Sequence, residues 1–162
     1  MRRSRYRRDM IGPAKFIIAI LLFAAALSAS AATGKVVKVL PHFLDLQGRH
    51  TPSPSLFDRD AYQAQLRKTP EKRSGVRFDI QWRGRASSPQ VATLRVELRG
   101  MAKGNQPSET TLETEVLITG TGHWTKLTFD GEKYKSFGEI TAWRVTLRSG
   151  DEVIGEQKSF LW

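Results

Sequence analysis

The chain has 162 residues, of which 40% are hydrophobic and 26% charged, and this composition excludes wholesale disorder. It contains no cysteine, which excludes a disulfide framework, thiolate chemistry and zinc fingers. The formal net charge is +10, from 26 basic and 16 acidic residues, but residues 1–31 hold six of the basic residues and one of the acidic ones. Residues 32–162 therefore carry 20 basic and 15 acidic residues, a net charge of +5, which argues against a nucleic-acid binder.

The N-terminal segment has the three parts of an export signal. A basic stretch over residues 2–15 precedes 12 consecutive apolar residues, Phe16 to Leu27, whereas a spanning helix needs about 20. The small residues Ala29 and Ala31 stand at the two outer positions of a signal-peptidase site. We therefore expect cleavage after Ala31, one mature domain over residues 32–162 without a transmembrane segment, and a periplasmic or secreted bacterial location. The alternative is a signal that is retained as an anchor.

The mature segment opens with a β-branched run followed by a helix signal. Residues 35–40 (KVVKVL) predict a strand, which Pro41 confines to a sheet edge or to a kinked first strand because proline has no amide hydrogen. Residues 47–55 have the composition of a loop. Ser55 and Asp58 have the spacing of a capping box, and Pro70 ends the segment, so we predict one short helix over residues 56–67.

From Gly75 onward the hydrophobic period is two. In residues 76–83 (VRFDIQWR) every even position is apolar and every odd one polar, which predicts a strand with one buried face and one solvated face. Residues 94–99, 112–118, 124–129 and 140–147 follow the same pattern, and residues 152–162 complete a closing hairpin. About seven antiparallel strands with one short helix are typical of a β-sandwich of immunoglobulin or fibronectin type III style. The alternative is a small outer-membrane barrel, against which the short, arginine-rich strands argue.

No sequence motif marks a catalytic or metal site. The three histidines, His42, His50 and His123, fall in or beside predicted loops without metal-ligand spacing, so we expect them on the surface. The serine-nucleophile patterns G-x-S-x-G and S-x-x-K do not occur. We therefore predict no catalytic residue, metal ion or cofactor. The enzyme alternative is a small hydrolase with an unmarked pair of carboxylates.

The position of Trp124 differs from that of the other strand tryptophans. Trp82 and Trp143 alternate in phase with apolar neighbours and are predicted to lie in the core. Trp124 is in phase with Lys126, so we expect its indole to be partly exposed beside His123. Such a tryptophan either covers the open end of the sandwich or contacts a ligand or partner.

Arginines recur on the polar faces of three predicted strands, at Arg77, Arg83, Arg85, Arg95, Arg99, Arg144 and Arg148. If these strands share one sheet, their guanidinium groups form a basic surface suited to phosphate or sulfate. Alternatively, nearby acidic residues such as Asp79 and Glu97 balance them in a salt-bridged outer face.

The sequence as a whole predicts an exported, non-catalytic β-sandwich that acts as a protein-binding module of the bacterial envelope. An envelope protein would be met through a sheet face or through an exposed edge strand, with residues 35–40 and 152–162 as the candidate edges. The alternative is a module that binds a carbohydrate or an anionic polymer through Trp124 or the arginines. Nucleic acid is not an expected partner.

Overall fold

The computed structural model describes residues 32–162, so the predicted signal peptide, with Ala29 and Ala31 at its cleavage site, lies outside the described residues. The strands of the described part are β1 (Thr33–Asp45), β2 (Arg73–Arg85), β3 (Gln90–Ala102), β4 (Gln106–Ile118), β5 (Gly122–Asp130), β6 (Glu139–Ser149) and β7 (Glu152–Lys158). It also contains the helices α1 (Leu56–Lys68) and α2 (Gly131–Phe137) and a 3-10 turn at Pro70–Lys72. Within this range no helix has the length and apolarity needed to cross a membrane.

The strands form two antiparallel sheets. The three-stranded sheet has the order β1-β2-β5, and the four-stranded sheet has the order β4-β3-β6-β7. The prediction of an all-β sandwich with seven antiparallel strands is thus confirmed. The closing β6–β7 hairpin is also present, but its second strand ends at Lys158, earlier than predicted.

The hydrophobic core lies between the two sheets. The alternation predicted for residues 76–83 is confirmed, because Val76, Phe78, Ile80 and Trp82 are at most 3% exposed. The facing sheet contributes side chains that are at most 1% exposed, namely Leu94, Val96, Leu98, Val145 and Leu147. Burial of each large apolar side chain contributes about 1.5–3 kcal/mol, so the core fixes which side of every strand faces outward.

Helix α1 is confirmed, and it covers part of β1. The Ser55 hydroxyl oxygen accepts a hydrogen bond from the Asp58 amide at 3.4 Å, as the capping spacing predicts. Farther along the helix, the buried Gln63 amide accepts from the Phe43 N–H at 2.8 Å and donates to the Phe43 carbonyl at 2.9 Å. These two bonds occupy the outer backbone edge of β1, where an added strand would otherwise pair.

Helix α2 is a difference from the expectation of a single helix. It has seven residues, too few for a recognisable helical period, and it lies between Asp130 and Gly138. Its last residue, Phe137, is 6% exposed and packs edge-on against Phe129 with ring centroids 5.2 Å apart. Gly138 has φ +85°, and a Cβ there would overlap the carbonyl of Met101, so only glycine fits this turn. Burial of Phe137, rather than helix propensity, accounts for α2.

The strands β1 and β7 are sheet edges, as predicted, but they face each other. Gly155 of β7 lies so near β1 that an added Cβ would be 2.9 Å from the Cα of Lys35. The edge of β1 is therefore covered by β7 at one end and by α1 at the other. Of the strands described, β4 and β5 are the edges on the opposite side of the sandwich.

Candidate functional site

The outward side of the three-stranded sheet gathers basic residues from all three of its strands. The register places Lys35 of β1 beside Arg83 of β2, and it places Lys38 and Trp124 on either side of Gln81. A bulge at Val37 lets Lys38 join this side. We call this surface the basic face, and its charged residues, with Gln81 and Trp124, are Lys35, Lys38, Arg77, Asp79, Arg83, Arg85, Lys126 and Asp130.

The basic face has a large excess of positive charge. It holds six cationic side chains and two carboxylates, those of Asp79 and Asp130. The Asp79 carboxylate is already engaged by Arg77, whose Nε and Nη2 donate to its two oxygens at 2.8 Å each. Among the described residues, the other five cations of the face form no ion pair within 4.0 Å.

The outward side of the four-stranded sheet has no such excess. Here Arg144 forms a bidentate pair with Glu97, with Nε–Oε2 and Nη2–Oε1 distances of 2.7 and 2.9 Å. These hydrogen bonds hold the pKa of Glu97 below its usual range. The sheet register places five cations with five carboxylates on this side, and we call it the balanced face: Arg95, Arg99, Arg144, Arg148 and Lys158 with Glu97, Glu109, Glu113, Glu115 and Glu156.

The seven arginines of the sequence pattern are thus divided between two faces. Arg77, Arg83 and Arg85 lie on the basic face, whereas Arg95, Arg99, Arg144 and Arg148 lie on the balanced face. The condition for one continuous arginine surface, that all three strands share a sheet, is not met. On the balanced face, Arg95 pairs with Glu113 at 2.5 Å and Arg99 with Glu109 at 3.2 Å, which is the salt-bridged alternative.

Trp124 is the exposed aromatic residue of the basic face, and 53% of it is accessible to solvent, in line with its alternation phase. Gln81 is its direct partner across the strand pair. Lys126 follows two residues along β5, a separation of about 6.7 Å, and Arg83 occupies the adjacent diagonal position on β2, about 7–8 Å away. Trp124 therefore has an amide directly across the strand pair, Arg83 at one diagonal position and Asp79, which faces Lys126, at the other.

His123 belongs to the inward row of β5 instead. Its ring stacks on Trp82 with centroids 4.9 Å apart and planes inclined by 29°. Its Nε2 lies 2.9 Å from the hydroxyl of Thr119 and 3.0 Å from that of Thr121. His123 thus covers the open end of the core. Trp143, expected in the core, is only partly buried and packs edge-on against Phe78 with centroids 6.5 Å apart.

An open groove of ≈ 490 Å³ lies at one end of the basic face. Lys35, Arg83 and Arg85 are the charged side chains that line it, and no acidic side chain of the described chain does so. The remaining lining is largely glycine, from Gly34, Gly84, Gly120 and Gly122. The floor is therefore mostly peptide backbone, and its polarity and charge suit a small anionic group.

The expectation that all three histidines lie on the surface is wrong for His42, which is 8% exposed. His42 stands in phase with the basic face, but its ring lies 5.4 Å from that of His50, in the loop that precedes α1. Its Nε2 is 3.8 Å from Oδ2 of Asp79. Burial lowers the pKa of His42 below its usual value, against the raising effect of Asp79. Among the described residues, no group of three or more His, Cys, Asp or Glu side chains is arranged to hold a metal ion.

The depressed histidine pKa makes folding stability depend on pH. Burial lowers the pKa of both His42 and His50, so the unfolded chain binds more protons than the folded chain as pH falls through 6.5. We expect the free energy of unfolding to decrease from about pH 8 to about pH 5. Urea unfolding across this range measures the decrease, and His42→Gln should flatten it. An unchanged slope in His42→Gln would contradict the assignment.

Sequence reasoning identified three of the six basic-face cations, Arg77, Arg83 and Arg85, and missed the other three. Lys126 carried a usable signal, because it alternates in phase with the exposed Trp124. Lys35 and Lys38 carried none, because alternation does not reveal which strands are neighbours and the bulge at Val37 shifts the phase of β1.

No family model, curated protein or solved structure matches this chain. Its function is therefore inferred from the described side chains themselves.

Proposed function

We propose that the chain is an exported, non-catalytic binding protein whose ligand is a polyanion held on the basic face. One observation carries this proposal. The excess of four positive charges on the basic face is most of the net charge of +5 of residues 32–162, while the balanced face is neutral. The charge of the domain is thus concentrated on a single sheet face.

Folding alone does not account for this concentration. Lys35 stands directly opposite Arg83, and like charges opposite each other destabilise a strand pair. On the other sheet the like-charged pair of Arg144 and Lys158 is offset by carboxylates that directly face arginines, as Glu97 faces Arg144 and Glu113 faces Arg95. A local arrangement that opposes folding is typical of a functional site, and an anionic ligand would reverse its cost.

Binding to the basic face should fall steeply with salt. We expect the affinity for a long polyanion such as dextran sulfate to drop at least about tenfold between about 50 and about 300 mM NaCl, because bound cations release counterions. Lys35→Gln combined with Arg83→Gln should lower the affinity by about tenfold at low salt. The protein is purified in the form in which the cell accumulates it, and polyanion binding is measured by titration calorimetry.

The matched control removes one arginine and one lysine charge from the balanced face instead, by combining Arg148→Gln with Lys158→Gln. Equal losses in the two double variants would contradict the proposal, because binding would then follow net charge rather than the basic face.

Export is part of the proposal and rests on the sequence of residues 1–31. We expect the chain recovered from the periplasm or medium to begin at Ala32. N-terminal sequencing identifies this first residue, and mass spectrometry measures the mass of the shortened chain. Full-length chain confined to the cytosol would contradict export.

We also propose that the sandwich is of fibronectin type III style. The pairing of β4 with β3, which gives a three-stranded and a four-stranded sheet, supports this assignment. In the constant-type immunoglobulin arrangement, by contrast, the fourth strand lies in the other sheet beside the fifth. An experimental structure that places β4 beside β5 would contradict it.

A protein partner that adds a strand to β5 is the second candidate function. The observation that favours it is the difference between the two uncovered edges. β4 carries Pro107 and the glutamates at 109, 113 and 115, which discourage strand addition, whereas β5 has Lys126 as its outward charge ahead of Asp130 at its last position. Capture from an envelope extract separates the candidates, since backbone pairing would survive a salt concentration that releases a polyanion.

A further inference from the structure

The exposure of Trp124 is not explained by the fold. A tryptophan at the end of a sandwich commonly covers the core, but His123 already stacks on Trp82 at that end. The indole nitrogen of Trp82 is also satisfied, because it donates to Thr125 Oγ1 at 2.8 Å. Trp124 points to the opposite side of β5, where more than half of its surface faces solvent.

The neighbours of Trp124 have the chemistry of a sugar site. Gln81, directly across the strand pair, offers an amide that both donates and accepts hydrogen bonds. Arg83 holds a diagonal position on β2 and Lys126 lies two residues along β5, opposite Asp79, and both offer charge-assisted hydrogen bonds. An aromatic plate with a few polar groups beside it suits a ring that has an apolar face and a hydroxylated rim.

We propose that the polyanion is an acidic polysaccharide, one of whose rings stacks on Trp124. This inference rests on the proposed function and names its ligand class. Gln81 binds hydroxyl groups of the stacked ring, and Arg83 and Lys126 bind the carboxylate or sulfate groups that the polymer carries. The groove lined by Lys35, Arg83 and Arg85 takes an acidic group of a neighbouring ring.

The extent and composition of the face favour this class over others. From Arg77 to Arg85 the cations of β2 span eight residues, about 26 Å at about 3.3 Å per residue, which suits a chain rather than a single sugar. Single-stranded nucleic acid is bound by successive bases stacked on several aromatic residues. On the described basic face Trp124 is the single aromatic side chain, so one base of a run has an aromatic ring to stack on there.

The test compares polymers that share charge but differ in their rings. The probes are polygalacturonate, inorganic polyphosphate, neutral dextran and oligothymidylate. Each is titrated at low salt into protein purified in the form in which the cell accumulates it. We expect polygalacturonate to bind, neutral dextran to bind far more weakly, and Trp124→Ala to weaken polygalacturonate binding about tenfold. Trp124→Phe should restore part of the affinity, and polyphosphate binding should be unchanged in Trp124→Ala.

Two results would overturn the inference while the proposed function stands. One is equal binding of polygalacturonate by the wild type and Trp124→Ala, since the affinity of the basic face would then depend on charge alone. The other is tighter binding of oligothymidylate with a larger loss in Trp124→Ala, which would make nucleic acid the ligand. Failure of every anionic probe to bind would overturn both proposals. Trp162→Ala, which removes an indole stacked on Arg99 of the balanced face, is the control and should bind like the wild type.

Discussion

Replacing Arg73 with alanine is expected to lower the free energy of unfolding by about 3 kcal/mol. Its side chain is 3% exposed, and its Nε donates to the carbonyl of Leu66 at 2.5 Å while Nη2 donates to that of Arg67. Both carbonyls belong to the last turn of α1, where no amide of the helix can reach them. The guanidinium also lies 4.1 Å from the centroid of the Phe43 ring. Alanine leaves two acceptors without a partner and uncovers an aromatic ring.

Urea unfolding measures this loss. Arg73→Lys should recover a minor part of it, because an ammonium group cannot span both carbonyls in the planar geometry of a guanidinium. Glu139→Gln is the control. Its carboxylate lies 3.2 Å from Nη1 of Arg73 but is 61% exposed, so we expect less than about 0.5 kcal/mol there. A large loss in Glu139→Gln would shift the explanation from the helix carbonyls to the ion pair.

Replacing Asp45 with alanine is expected to cost about 3 kcal/mol at neutral pH. Asp45 ends β1 and is 4% exposed. Oδ1 accepts from the amides of Gln47 and Arg49 at 2.9 and 2.8 Å, and Oδ2 accepts from the Arg49 Nε and the Tyr62 hydroxyl at 2.9 and 2.8 Å. Four hydrogen bonds thus join the strand, the following loop and α1 through one carboxylate.

The same carboxylate makes this loss depend on pH. Burial raises the pKa of Asp45, but the hydrogen bonds from Arg49, Tyr62 and Gln47 outweigh burial and hold the pKa below its usual value of 3.8. The carboxylate therefore stabilises the fold above 3.8, and this contribution is lost as pH falls through the lowered value. The stability difference between wild type and Asp45→Ala should shrink in acid, and a difference that does not change with pH would argue against the charged network. Tyr62→Phe, which removes one bond, should cost about 1 kcal/mol.

The architecture was predictable because the signals that specify it are local. Alternation in residues 76–83 identifies the inward side chains, and capping at Ser55 identifies the start of α1. The phase of Trp124 with Lys126 likewise indicates an exposed indole. Each of these depends on residues within a few positions of one another, and short-range periodicity carries that information.

The basic face was not predictable because it depends on which strands are neighbours. Arg77 and Arg95 have the same alternation pattern, yet they lie on opposite sides of the sandwich. The burial of His42 has a similar origin, since α1 and the loop before it fold back over this end of β1. Sequence pattern assigns a side chain to the inside or outside of its own strand, and long-range packing decides which outside that is.

The charge difference between the two faces also orients the domain as it approaches a negatively charged chain or surface. Sheets of a sandwich lie about 10 Å apart, so an unbalanced face opposite a neutral one produces an electric dipole directed through the short axis of the domain. A domain of this kind rotates as it nears a negatively charged chain or surface, and the cationic side leads before any contact forms. Encounters are then productive in a larger share of collisions, and the association rate, more than the dissociation rate, responds to ionic strength.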